Sequence, residues 1–160
     1  MTWLIDVLLV ATILGTGVAA GIFTAFSAFV TQGLDRLPAA DAARAMREMN
    51  VTAVRPPLML VLFGTALLAI VVAVFALVGS LGGGTWWAVG AAALYLVGAI
   101  GVTGGANVPR NNRLAAASTD ASDLATAWAE FRPGWQAWNH VRALTSAAAC
   151  LGFVLVLVWR

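Results

Sequence analysis

The side chains with most scope for chemistry crowd into eight positions near the carboxyl end: Trp135, Gln136, Trp138, Asn139, His140 and Arg142. An arginine and neighbouring amides can stabilise negative charge developing on an oxygen. His140, the single histidine, can exchange a proton near neutral pH, and Trp135 and Trp138 offer flat apolar walls. Two other polar concentrations could join them. Asn107-Val108-Pro109-Arg110-Asn111 supplies two more amides, and Asn50, ahead of Arg55-Pro56-Pro57, could bind a ligand or hold a water. With one histidine and one cysteine, Cys150, the chain has no ligand cluster for a metal.

The elements that carry these groups must sit in lipid. Of 160 residues, 61% are hydrophobic and 10% charged, and the mean hydropathy is +0.90, a balance foreign to water-soluble domains. All nine basic residues are arginines, which with the alanine richness points to a GC-rich bacterial genome and hence to the inner membrane. A net charge of +2 drawn from arginines beside apolar runs concerns headgroups and topology, and gives no support to nucleic-acid binding. Cys150 lies in an apolar run and has no partner for an internal disulfide.

The pattern predicts an all-α fold, a bundle of four transmembrane helices in a single membrane domain. Spans are expected over residues of about 3–30, 57–78, 86–107 and 135–158, each long enough at ~1.5 Å per residue to cross ~30 Å of hydrocarbon. The first run has no basic residues before it and is too long for a cleaved leader, so it reads as a span. Small residues Gly17, Gly21, Thr24, Ala28 and Thr31, and the pair Gly101 and Gly105, mark expected packing faces, within the bundle or between copies in a homo-oligomer. Short interfacial helices are expected in the first and third loops. In the first, Ala42, Ala45, Met46 and Met49 share a side, Pro38 suits the first turn, and Arg44 can pair with Glu48. In the third, residues 115–132 read as a surface helix ended by Pro133-Gly134, and Val108-Pro109 should end the third span.

Arginines set the topology. Four lie in the first loop and three, Arg110, Arg113 and Arg132, in the third, so those loops read as cytoplasmic and both termini as outside, with Arg160 mildly opposed. An even number of crossings then brings Asn50, Arg55, Asn107, Asn111, Asn139, His140 and Arg142 to one membrane face. On a helical wheel Trp135, Asn139, Arg142, Ser146 and Cys150 share a sector, which is expected to face inward, while His140 points to a flank. An arginine two turns inside a span costs ~2.5–3.5 kcal/mol unless it is paired, and Glu130, Asp35, Glu48 or an anionic ligand could serve.

In order and spacing, Gly17-Val18-Ala19-Ala20-Gly21-Ile22-Phe23 with Phe26, then Met46 to Asn50, Asn107-Val108-Pro109 with Asn111 and Leu114, and Trp135 with Trp138-Asn139 and Arg142, resemble the anthrone-oxygenase-like family of small four-helix membrane proteins. The resemblance implies oxidation of an anthrone, or a related electron-rich polycyclic phenol, to a quinone by dioxygen, without metal, haem, flavin or other cofactor. On that expectation Arg142, Asn139, Asn107 and His140 are the catalytic candidates, and Trp135, Trp138, Asn50 and Asn111 the substrate-binding ones. The alternative is a non-catalytic membrane protein that binds a lipid or hydrophobic small molecule, or serves as an oligomeric scaffold, with Asn107, Asn139 and Arg142 as an interhelical clamp. A transporter is disfavoured, because no acidic relay runs through the spans.

Overall fold

The computed structural model describes residues 2–160. Five helices account for nearly all of them: α1 (Trp3–Leu34), α2 (Ala39–Ala53), α3 (Pro56–Leu77), α4 (Gly82–Ala116) and α5 (Ala121–Trp159). All but α2 are long and apolar enough to span a bilayer, and no strand occurs among the described residues. In the most apolar window of each span only 28% to 39% of residues are buried inside the bundle, so the remaining apolar surface requires lipid. The chain is an integral membrane protein.

The four spans run up and down in a square: α1 packs on α3 and α5, and α4 packs on the same two helices from the opposite corner. Close approach is set at a few points. Gly98 of α4 lies against Thr145 of α5 with no room for a side chain, and Gly15 of α1 meets Thr65 of α3 in the same way. The expected packing stripes are elsewhere. Of the α1 stripe only Thr31, which is buried, and Gly17, which faces Cys150 of α5, turn inward; Gly21, Thr24 and Ala28, and likewise Gly101 and Gly105, face outward, and the packed side of α1 is Thr12, Thr16, Ala19, Phe23, Ser27 and Thr31. The wide distribution of small residues around α1 hides which side packs. In the α3–α4 turn Gly79 and Gly82 adopt φ of 86° and 48°, which a side chain would resist.

Both proline predictions for the third loop need correction. Pro133-Gly134 does not separate a surface helix from the fourth span, because α5 continues through it for 39 residues. Tertiary packing overrides the missing N–H: Trp128, Phe131 and Trp135 stack at centroid distances of 5.7 and 5.8 Å, against Ala42, Ala43 and Met46 of α2. Nor does Val108-Pro109 end the third span. The turn Thr103–Asn107 widens to π-helical spacing, the Val108 N–H reaches the Thr103 carbonyl, and the proline enters a helix that runs on to Ala116.

α2 lies across the end of the bundle as the expected cap, with Pro38 just before its first residue, and its buried side rests on α5. Arg44 pairs with Asp41 at 2.7 Å, one turn before it, where Glu48 had been expected. Arg47 fixes α2 to the exposed end of α4, donating to the Leu114 carbonyl at 2.8 Å and the Ala117 carbonyl at 2.6 Å. Leu114 lies in the last turn of α4, where its carbonyl otherwise accepts only a long bond from the Ala117 N–H at 3.4 Å, and Ala117 follows directly, so a cation is favoured there. At the opposite end Arg160 forms an ion pair with Asp6, which gives a physical reason for a lone arginine on the arginine-poor side.

Candidate functional site

A cavity of about 120 Å³ lies where the membrane bundle meets the α2 cap. A single water needs ~10–15 Å³ on this scale, so there is room for several waters or part of a small ring system. Phe23 and Phe26 of α1, Met46 and Met49 of α2, Met59 of α3 and Trp135 of α5 make its walls. Its polar lining is short: Asn50, Thr103, Asn111, Asn139 and Arg142. None of the seven acidic residues lines it.

Arg142 is 7% exposed, and its surroundings show how lipid tolerates it. Nη2 donates to Asn139 Oδ1 at 2.6 Å, Nη1 donates to Thr103 Oγ1 at 3.2 Å, and the guanidinium lies 4.3 Å from the Phe23 ring centroid and 5.4 Å from that of Trp135. Hydrogen bonds from a charged donor contribute ~1.5–3 kcal/mol each, enough to offset an insertion cost of ~2.5–3.5 kcal/mol. No carboxylate is needed to keep the arginine in the helix, and none is near. Of the expected partners, Asp35 is held by Arg132 with Nη2–Oδ2 at 2.7 Å, while Glu48 and Glu130 are exposed. The positive charge is hydrogen-bonded yet not neutralised.

The support of this group reaches into α1. Asn139 is fully buried; its Nδ2 donates to the Phe23 carbonyl at 2.8 Å and to Ser27 Oγ at 2.7 Å, which leaves Oδ1 for Arg142. α1 widens to π-helical spacing over Phe26–Val30 immediately beyond, and Gln136 grips that turn, donating to the Ser27 carbonyl at 3.0 Å and accepting from Thr31 Oγ1 at 2.8 Å. Such widened turns loosen the regular ladder and let side chains reach carbonyls, and they recur at functional sites. Thr103 is fixed likewise: its hydroxyl donates to the Ala99 carbonyl at 2.7 Å, so its lone pairs turn to Arg142.

Two buried donor atoms remain without a partner around the cavity, Arg142 Nε and Asn50 Nδ2. Buried donors without acceptors are costly, so the arrangement is matched to an occupant that accepts hydrogen bonds. Asn111 also lines the cavity, and its Oδ1 accepts the Trp135 indole N–H at 2.8 Å, which orients that ring.

Of the expected site residues, Arg142, Asn139, Trp135, Asn50 and Asn111 come together at the cavity. Three do not. Asn107 is buried one layer away, where its Nδ2 donates to the Trp135 carbonyl at 3.2 Å as an interhelical clamp. Trp138 is 40% exposed on the outside of α5, so the wall role falls to Trp135 and Phe23. His140 is exposed on the flank, with Nε2 at 3.0 Å from Gln136 Nε2, and contributes nothing to the cavity lining. Ser146 is buried on the inward face as the wheel predicts, and Cys150 is half-buried. Among the described residues no three His, Cys, Asp or Glu side chains come together. Phe23, Ser27, Thr103 and Arg47 were not among the sequence-derived candidates; Phe23 and Arg47 fall within motifs that carry the resemblance, and no pattern marks out Ser27 and Thr103.

The fold and the cavity together define a small four-helix membrane protein with a cationic, aromatic-walled pocket at one end of its bundle. A family model described as anthrone oxygenase matches residues 57–152, well over half of the chain, and the chain belongs to that family. The matched segment contains Thr103, Asn111, Trp135, Asn139 and Arg142. No curated protein and no solved structure matches the chain.

Proposed function

We propose that the protein is a membrane oxygenase that converts an anthrone or similar polycyclic phenol to a quinone with dioxygen. The observation that carries this reading is the un-neutralised Arg142 guanidinium facing a cavity with aromatic walls. A phenolic ring system slides between Phe23, Trp135 and the methionines, with its oxygen toward Arg142 and Asn50. The positive charge favours the ionised, enolate form of the substrate. No side chain lining the cavity is a general base, so a water inside the cavity takes the proton as the anion is stabilised, and His140 takes no part.

The enolate then supplies the electrons. Its reactive carbon adds dioxygen to give a peroxide anion, which takes up the released proton; loss of water from the hydroperoxide leaves the carbonyl of the quinone. One dioxygen is consumed, one of its atoms enters the product and the other leaves as water. Arg142 holds the ring oxyanion before the addition, while the low-polarity walls orient the ring. In this reading no cofactor takes part, and the protein belongs to a bacterial inner membrane with the arginine-bearing loops in the cytoplasm and both termini outside.

The absence of a base from the lining favours one other reading, a protein that binds such an anion without transforming it. Oxygen consumption by purified protein with a panel of anthrones and hydroquinones separates the two. Catalysis requires dioxygen uptake above the autoxidation rate that is lost in Arg142→Met. Binding without uptake would leave only the second reading.

A further inference from the structure

We infer that the cavity is filled from the bilayer and not from the aqueous side, through an opening between the last turn of α2 and α4 whose rim is Val54 and Val108. This rests on the proposed site and concerns how its ligand arrives. Two routes to Arg142 can be compared. The direct aqueous route lies through the roof, and it is closed: Met46, Leu124, Trp128 and Phe131 are buried against one another there, and Arg47 ties α2 to the Leu114 and Ala117 carbonyls. The other route is open and apolar. Among the lining residues, Val54 at 69% and Val108 at 40% are the apolar side chains exposed at the surface, and neighbouring Leu60 and Phe63 of α3 also present their side chains outward.

The polar and apolar parts of the site are therefore arranged by depth. The unpartnered donor of Arg142 is buried at the inner end and that of Asn50 lies in a half-buried side chain, while the two exposed side chains of the lining are valines. A ligand that had to pass a rim of this kind from water would lose its hydration before meeting any donor, whereas one dissolved in lipid has none to lose. The class of ligand follows: a neutral, membrane-partitioned phenol that ionises only after it reaches Arg142. A permanently charged analogue of the same ring system is excluded by route even where it would fit.

The test uses the full-length protein in nanodiscs and binding of a fluorescent phenolic anthrone, so that it does not depend on turnover. Val54→Trp and Val108→Trp narrow the rim without touching the donors. They should slow association and dissociation together by about tenfold while Kd stays within about twofold, the signature of a gate. A ring-sulfonated analogue added from water should not bind the wild type, and Arg47→Ala, which loosens the roof, should admit it. Wild-type binding of the sulfonated analogue, or unchanged rates in both rim variants, would overturn the lateral route while leaving the site reading intact. Absence of anthrone binding to the wild type would overturn both.

Discussion

At the residue scale the account turns on a charge without a counter-charge. Arg142 is kept in the helix by an amide, a hydroxyl and two aromatic faces, so its positive potential is not consumed by a carboxylate. Replacing a buried charge by an apolar group of similar volume is often tolerated, so Arg142→Met should fold, with stability changed by no more than ~1–2 kcal/mol, yet lose ligand-anion binding by ~100-fold or more. Thermal unfolding in detergent beside a binding isotherm checks both halves. Thr103→Val should weaken binding about fivefold through the ~1 kcal/mol of one hydrogen bond, and Thr103→Ser should restore it. The inward face of Trp135, Asn139, Arg142 and Ser146 was legible because three- and four-residue spacing on a long helix leaves little choice. Thr103 was not: a membrane threonine bonded to its own helix four residues back looks the same whether or not it also serves an arginine.

At the scale of elements, the helices were legible and their joins were not. Composition and run length place four spans, and the shared side of Ala42, Ala45, Met46 and Met49 after Pro38 places α2, but Pro133 and Pro109 read as breaks where the helices go on. Proline's local cost is readable from sequence; the aromatic packing around Phe131 and the widened turn at Thr103–Asn107 that absorb it are not. The glycines illustrate the same limit. Gly105→Val, on the outward side of α4, should change stability by no more than ~0.5 kcal/mol, while Gly98→Val, forced against Thr145, should cost ~1–3 kcal/mol. Reversible unfolding in mixed micelles would compare them, and equal costs would contradict the packing of α4 on α5.

For the whole molecule, an even number of crossings brings Asn50, Asn107, Asn111, His140 and Arg142 to one end of the bundle, but it does not say which of them line the cavity, and Asn107 and His140 do not. The proposed orientation has its own check. In a Cys150→Ala background, Ser118→Cys should react with an impermeant thiol reagent only from the cytoplasmic side and Ser80→Cys only from the other. The reverse pattern would invert the topology.

The central claim is that the cavity stabilises an aromatic oxyanion through Arg142, and the ionisation of a bound ligand reports it most directly. Absorbance titration of a phenolic anthrone in nanodiscs with wild-type and Arg142→Met protein gives the apparent pKa of the bound phenol in each. The account predicts that the wild type lowers it by at least about one unit, worth ~1.4 kcal/mol, below its value in empty nanodiscs, and that Arg142→Met abolishes the shift. A bound phenol that titrates as it does in lipid alone, or equally in both proteins, would contradict it.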